Sequence, residues 1–172
     1  MVIWITGLSA SGKTTLGKAV YDELKVRERN TVLVDGDHIR KIFKHDNKNE
    51  SYTMEERKKN ADRICDLCAW LDSQGINVVC CILSLFEESR KWNRENYSKY
   101  FEVFIDVPME VLMKREIKGL YKAAKAGELK NVVGVDIAFA KPSNPDFVLD
   151  NSADNVDFKK VASEILKKAQ SL

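Results

Sequence analysis

No apolar run in this sequence of 172 residues approaches the ~20 that a bilayer crossing requires, so a membrane protein is not expected. No basic prelude or cleavage signal accompanies the first apolar stretch, so no secretion signal is read and a cytoplasmic location is expected. Charge of one sign is not in excess either. Twenty-eight basic residues face 26 acidic ones, a net charge of +2, which argues against a general nucleic-acid binder but allows local basic clusters to hold small anions. Histidine is scarce. His38 and His45 have no readable partner and are expected to be exposed or incidental. The four cysteines, Cys65, Cys68, Cys80 and Cys81, lack the paired spacing and neighbouring histidines of a zinc site. They read instead as buried structural thiols of a reducing compartment. There is no internal repeat, no low-complexity segment and no sign of a second domain. What remains is one domain over 1–172, 44% hydrophobic and long enough to bury a full core.

One stretch organises the rest. Residues 7–14, Gly-Leu-Ser-Ala-Ser-Gly-Lys-Thr, fit the G-x-x-x-x-G-K-[ST] phosphate loop. An apolar run, 2–5, precedes it and reads as a buried strand. Leu16, Val20 and Leu24 follow at helical spacing. Strand, loop and helix is the order the pattern demands. Gly7 and Gly12 let the backbone curl so that the N–H groups of Ser9, Ala10, Ser11 and their neighbours point at phosphate oxygens. The helix starting near Gly12 adds the positive end of its dipole. Lys13 reaches the β- and γ-phosphates, and Thr14 offers a hydroxyl to Mg²⁺. The pattern predicts binding of a nucleoside triphosphate rather than a chance loop.

Further along, 31–34 reads as a second buried strand ending at Asp35-Gly36-Asp37. Ligands of open α/β sheets sit at the carboxyl ends of strands, so these carboxylates should face the phosphate loop. Either suits a metal-bound water or the proton of an attacking hydroxyl. The bland alternative is a turn in which Asp37 caps a helix beginning at His38. Arg40 lies three residues from Asp37 and shares its face. Residues 44–53 are polar and read as a loop. Thr53 and Glu56 form a capping pair for a helix running to about Ser73 and ended by Gln74-Gly75. Ile64, Leu67, Cys68 and Leu71 are its inner stripe, while Arg57, Asn60 and Arg63 share one side near its start.

Residues 76–83 read as a third strand with Ser84 at its carboxyl end, and 87–97 as a helix carrying Arg90 and Arg94. A fourth strand spans 101–107, and Pro108 opens a helix with Val111, Leu112 and Arg115. The stretch 114–127 is basic, helical between glycines, and suited to a lid that excludes water. An irregular stretch over 132–142, a fifth strand at 147–150 and a terminal helix over 156–172, with Val161, Ile165 and Ala169 inside, complete the chain. Alternating strands and helices predict an α/β fold, a P-loop NTPase-type three-layer sandwich with a five-stranded parallel sheet.

Residues 7–14, Asp35-Gly36-Asp37 with Arg40, Lys118-Gly119-Leu120-Tyr121, Ala126-Gly127-Glu128, Gly134-Val135-Asp136 and Pro145-Asp146 through Asp150 together resemble the adenylylsulfate (APS) kinases, in register over nearly the whole chain. That family moves the ATP γ-phosphoryl group to the ribose 3′-hydroxyl of APS. The resemblance implies that Gly7, Ser9, Ala10, Ser11, Gly12, Lys13, Thr14, Thr15 and Arg115 bind ATP, with Mg²⁺ on Thr14 and, through water, on Asp35. It implies that Asp37 orients or deprotonates the acceptor hydroxyl. Arg40, Arg57 and Asn60 would grip the anionic acceptor. Tyr52, Leu83, Ser84, Lys118, Leu120 and the position of Val132 complete the acceptor side, and 115–142 is the lid. Dimers are common in the family, so a homodimer is among the expected states.

The departures are grouped. The family's stacking Phe before the third helix is replaced by Tyr52, and its second stacking Phe by Val132; the Pro after Ser84 is Leu85, and the Asp before Arg90 is Ser89. An aromatic pair is worth about 0.5–1.5 kcal/mol beyond burial, so losing one face weakens adenine binding or marks another base. The ATP side is intact. APS to PAPS is therefore the first expectation. The alternative is an APS-kinase-like enzyme for another nucleotide, notably cytidine diphosphoramidate in capsule biosynthesis, which Ser84-Leu85-Phe86 and Trp92-Asn93-Arg94 resemble more closely. A catalytically idle nucleotide-binding module is disfavoured by the retained Lys13, Thr14 and Asp37. A GTPase switch is disfavoured because no Asn-Lys-x-Asp segment is present.

Overall fold

Five short runs of apolar residues pair side by side, all parallel, in a computed structural model that describes residues 1–43, 53–117 and 119–172. The strands are β1 (Val2–Thr6), β2 (Thr31–Asp35), β3 (Asn77–Cys81), β4 (Tyr100–Asp106) and β5 (Phe147–Asp150). Their spatial order is β2-β3-β1-β4-β5, so β3 is inserted between the first two strands of the chain. Parallel strands need crossovers, and the helices provide them: α1 (Lys13–Arg27), α2 (Gly36–Ile42), α3 (Met54–Ser73), α4 (Glu87–Asn96), α5 (Met109–Arg115), α6 (Leu120–Lys125) and α7 (Phe158–Gln170).

Side chains alternate across each strand and feed two cores. Ile3 and Ile5 of β1, Val79 and Cys81 of β3, and Val103 and Ile105 of β4 join Leu16, Val20 and Leu24 of α1 and Ala162, Ile165, Leu166 and Ala169 of α7. Val2, Trp4, Val78 and Cys80 point the other way, against Ile64, Cys65 and Cys68 of α3. Helices thus cover both faces, the three-layer arrangement expected of buried parallel strands. Alternation also parts the adjacent Cys80 and Cys81, which lie on opposite faces. All four cysteines are free and buried. Burial pushes the Cys65 and Cys81 thiols up to about 12, so they are unreactive packing residues.

The expected stripe of α1 is buried, and Thr53 caps α3 by accepting from Glu56 N. On α3 the inner face is Ala61, Ile64, Cys65 and Cys68, with Leu67 and Leu71 only partly buried at its edge. Several boundaries differ from the sequence pattern by one or two residues, and two of the differences bear on the site. β3 ends at Cys81, because the chain bends away at Ser84, whose φ is 44°. α2 begins at Gly36 rather than His38, because Asp35 is its cap, accepting from Asp37 N and His38 N. No helix among the described residues is long and apolar enough to cross a membrane.

Gly17 sets how closely α1 approaches the sheet. A Cβ there would lie 2.0 Å from Cys81 Sγ. Gly17→Ala is expected to cost about 1–3 kcal/mol by overpacking. Denaturant unfolding of the variant checks this, and the loss should shrink when Cys81→Ala is added, since the two side chains compete for one space.

Candidate active site

At the carboxyl end of β1 the loop 7–12 turns into α1. Gly12 caps the helix with φ 98°, and a Cβ there would meet Asn151 Nδ2 at 2.8 Å. The loop is braced from several elements. Ser11 N donates to Leu8 O (3.2 Å), Asn151 Nδ2 donates to Ser11 O (2.9 Å), and Tyr121 Oη donates to Ser9 O (3.0 Å). A loop that must offer its N–H groups to an anion gains from having its carbonyls tied elsewhere. Ala10 holds a left-handed φ of 62°, a conformation that turns successive amides inward. Thr14 and Thr15 line a groove of about 990 Å³ that runs between α1 and α7 past Asp157 and Phe158.

Lys13 Nζ donates to Leu8 O at 2.7 Å. Burial draws its pKa down to about 8, opposed by the negative charges of Asp37 and Asp35 and reinforced by Arg40. Lysine, both aspartates and the arginine therefore share one small region, at the ends of β1 and β2. Strand register brings them level: Asp35 of β2 pairs with Cys81 of β3, which pairs with Ile5 of β1.

The two aspartates have separate work. One oxygen of Asp35 caps α2, accepting from Asp37 N at 2.9 Å; the other accepts from Thr14 Oγ1 at 2.8 Å. The residue is 8% exposed, and its carboxylate is committed on both sides. Asp37, in the first turn of α2, has a side chain 71% exposed, with Arg40 Nη2 at 3.9 Å. The alternative that Asp37 is merely a helix cap is thus corrected: Asp35 takes that part, and Asp37 is left available to a ligand.

Other candidates fall around this centre. Arg57 Nη2 donates to Asn131 O at 2.8 Å, joining α3 to the segment after α6. Asn60 Oδ1 is buried with no hydrogen-bond partner among the described residues, the state of a group that a ligand would satisfy. Leu83 O accepts from Thr6 Oγ1 at 2.8 Å, and Ser84 is 6% exposed. Leu120 is partly buried against the main core. Val132 is 4% exposed and packed in that core, so its side chain offers a ligand little surface. Arg115 spends its guanidinium on the turn after β5, donating to Asn151 O (2.5 Å), Ala153 O (2.9 Å) and Asp154 (3.0 Å). That turn also braces Ser11, so Arg115 reaches the loop through Asn151. Tyr52 and Lys118 lie outside the described residues, as does His45.

Sequence reasoning passed over Asn151 and named Cys81 and Tyr121 only as a structural thiol and as part of the lid motif, although all three brace residues 9–13. The Cys81 thiol donates to Lys13 O at 3.4 Å. For Asn151 a signal existed: it directly follows a strand at the sheet's carboxyl edge, where the ligand belongs.

A parallel sheet with this loop, this lysine and an aspartate opposite it defines a P-loop phosphotransferase. Comparison with known proteins narrows the class. The family model for adenylylsulphate kinase matches residues 1–150, and the chain belongs to that family. It is 39% identical over 168 residues to cytidine diphosphoramidate kinase of Campylobacter jejuni, covering 98% of this chain and 96% of that one. It is 37% identical over 157 residues to an adenylyl-sulfate kinase of Clostridium kluyveri, covering 91% and 77%. Its structure is similar to that of the Mycobacterium tuberculosis APS kinase solved with AMPPNP and APS, with a TM-score of 0.84 at 29% identity, covering 98% and 96%. The protein is an ATP-dependent, APS-kinase-like nucleotide kinase.

Proposed function

We propose that this kinase transfers the γ-phosphoryl group of ATP to a ribose hydroxyl of cytidine diphosphoramidate. The observation that carries this reading is the asymmetry of the site. Lys13, Thr14, Asp35 and Asp37 form a complete phosphoryl-transfer set. The family's departures fall on the acceptor side, where Val132 is buried in the core instead of offering an aromatic face. A small pyrimidine needs less stacking area than adenine. The near end-to-end match with the Campylobacter enzyme supports the same acceptor. Adenylylsulfate is the second reading, favoured by the family model and by the retained Arg40, Arg57 and Asn60.

In the proposed step the amides of 9–14 and Lys13 hold the triphosphate and stabilise charge on the moving group. Thr14 Oγ1 and Asp35 Oδ2 are hard oxygen donors, 2.8 Å apart, and suit Mg²⁺ held jointly with substrate phosphates. Bound there, Mg²⁺ would neutralise charge on the phosphates. Asp37 accepts the hydroxyl proton as the new ester bond to phosphorus forms and the bridging bond between the β- and γ-phosphates breaks, releasing ADP. Arg57 and Asn60 bind the acceptor's anionic part, and α6, docked on Ser9 through Tyr121, excludes water.

The test offers Mg-ATP with cytidine diphosphoramidate and with APS in parallel, comparing kcat/KM. The proposed reading expects cytidine diphosphoramidate to be preferred, whereas a preference for APS selects the second reading. Arg57→Ala should raise the KM of the true acceptor about 10- to 100-fold, the worth of a hydrogen bond to a charged group. ATP affinity should be nearly unchanged in that variant, as read by titration with a fluorescent ATP analogue.

A further inference from the structure

After β3 the chain turns through 82–86 before α4, and this turn occupies a defined place. A Cβ on Gly36 would lie 3.5 Å from both Cys81 O and Ile82 Cγ1, so the turn abuts the start of α2, which carries Asp37 and Arg40. At its other end the Phe86 ring faces Lys58 of α3, with Nζ 5.8 Å from the ring centroid, one residue from Arg57. The turn therefore touches both helices that carry the proposed acceptor residues. Its backbone is not relaxed. Ser84 sits at φ 44°, a left-handed conformation that is unfavourable for a non-glycine residue and persists only where its surroundings enforce it.

Two side chains enforce it. Thr6 Oγ1 holds Leu83 O, and Arg90 Nη1 donates to Ser84 O at 2.6 Å. Arg90 is 3% exposed, and a charge so buried must be compensated. Its compensation comes from two carboxylates. Glu102 of β4, also 3% exposed, lies 3.5 Å from Arg90 Nε, and Glu87 pairs with Nη2. Both carboxylates are themselves anchored. Tyr100 Oη donates to Glu102 at 3.1 Å, and Ser143 Oγ donates to Glu87 at 2.7 Å. Attachment of α4 to the sheet edge does not require Arg90, because Arg94 forks onto Asp146 at 3.0 and 3.2 Å. What Arg90 adds is one donor aimed at the strained carbonyl, from a guanidinium fixed on its other sides.

We infer that Arg90 is a positioning residue for the acceptor: it holds Ser84 in its left-handed conformation, and with it the turn that forms the acceptor wall, and touches no substrate itself. This rests on the acceptor lying between α2 and α3, as proposed above. Arg90→Lys keeps a cation between Glu87 and Glu102 but loses the fork that reaches the carbonyl; Arg90→Met loses both.

The experiment measures acceptor KM, kcat, ATP-analogue affinity and amide hydrogen exchange of 82–86 for wild type and both variants. The inference expects acceptor KM to rise about tenfold or more in both, with ATP affinity within about twofold. It expects Arg90→Lys to recover thermal stability without recovering KM, and exchange at 82–86 to quicken while that of 7–14 does not. An unchanged acceptor KM, an equal loss of ATP affinity, or recovery of KM together with stability in Arg90→Lys would overturn it. If Arg90→Met does not fold, Arg90→Lys alone decides. If wild type phosphorylates neither nucleotide, the acceptor assignment fails by itself. Exchange at 82–86 then decides whether Arg90 holds the turn, and unaltered exchange in Arg90→Lys ends the inference.

Discussion

Asp37→Asn is expected to lower kcat by about 10²–10⁴-fold, the usual contribution of a general base, while leaving the KM for ATP nearly unchanged. Asn preserves size and hydrogen-bonding reach but cannot take the proton. The helix should survive, because the cap of α2 belongs to Asp35. The same division of labour makes Asp35→Asn a different lesion, one that disturbs the helix start and Thr14 together. Steady-state kinetics with varied ATP checks the split. An Asp37→Asn enzyme impaired only in ATP binding would move Asp37 out of the transfer step.

Replacing Lys13 should be as severe. Lys13→Ala removes the cation proposed to meet the transferring phosphoryl group, and turnover should fall by about 10²–10³-fold or more, the cost of losing one preorganised donor. An independent signature accompanies this loss. In the folded protein without nucleotide, burial holds the Lys13 ammonium at about 8, against an ordinary value of 10.5. Between those values the unfolded chain binds more protons than the folded one, so this group's penalty is full below pH 8 and fades as pH rises towards 10.5. Lys13→Met should therefore be more stable than wild type at pH 7, with the gap closing by about pH 10.5. Thermal unfolding across that range reads the effect. A destabilised Lys13→Met at pH 7 would show that the lysine is not held at a cost for the sake of an anion.

Local pattern carried much of this molecule into view. The loop 7–14 is legible because its glycines, lysine and threonine are spaced by covalent geometry and flanked by opposite periodicities. The capped start of α3 and the stripe of α1 are legible for the same reason: each is decided within one or two turns of chain. What sequence could not supply depends on crossings between distant segments. The insertion of β3 between β1 and β2 decides that Asp35 meets Thr14. No local signal separates Asp35 from Asp37 as the cap, since both are good caps one residue from a glycine. The docking of Tyr121 on Ser9 and of Asn151 on Ser11 joins residues 112 and 140 positions apart. Val132 shows the same limit. Its place in a resembling motif puts it beside a ligand, whereas the packing of the chain puts it in the core.

Phosphoryl transfer to a nucleotide is read by following the phosphorus itself. Mg-γ-³²P-ATP is incubated with the protein, with and without the nucleotide acceptor, and the label is separated as nucleotide ester and inorganic phosphate. Label is expected to move to the nucleotide in step with ADP formation, consumption of ATP to depend on the acceptor, and Asp37→Asn to suppress the transfer. Label released as inorganic phosphate at the same rate with or without acceptor would contradict it.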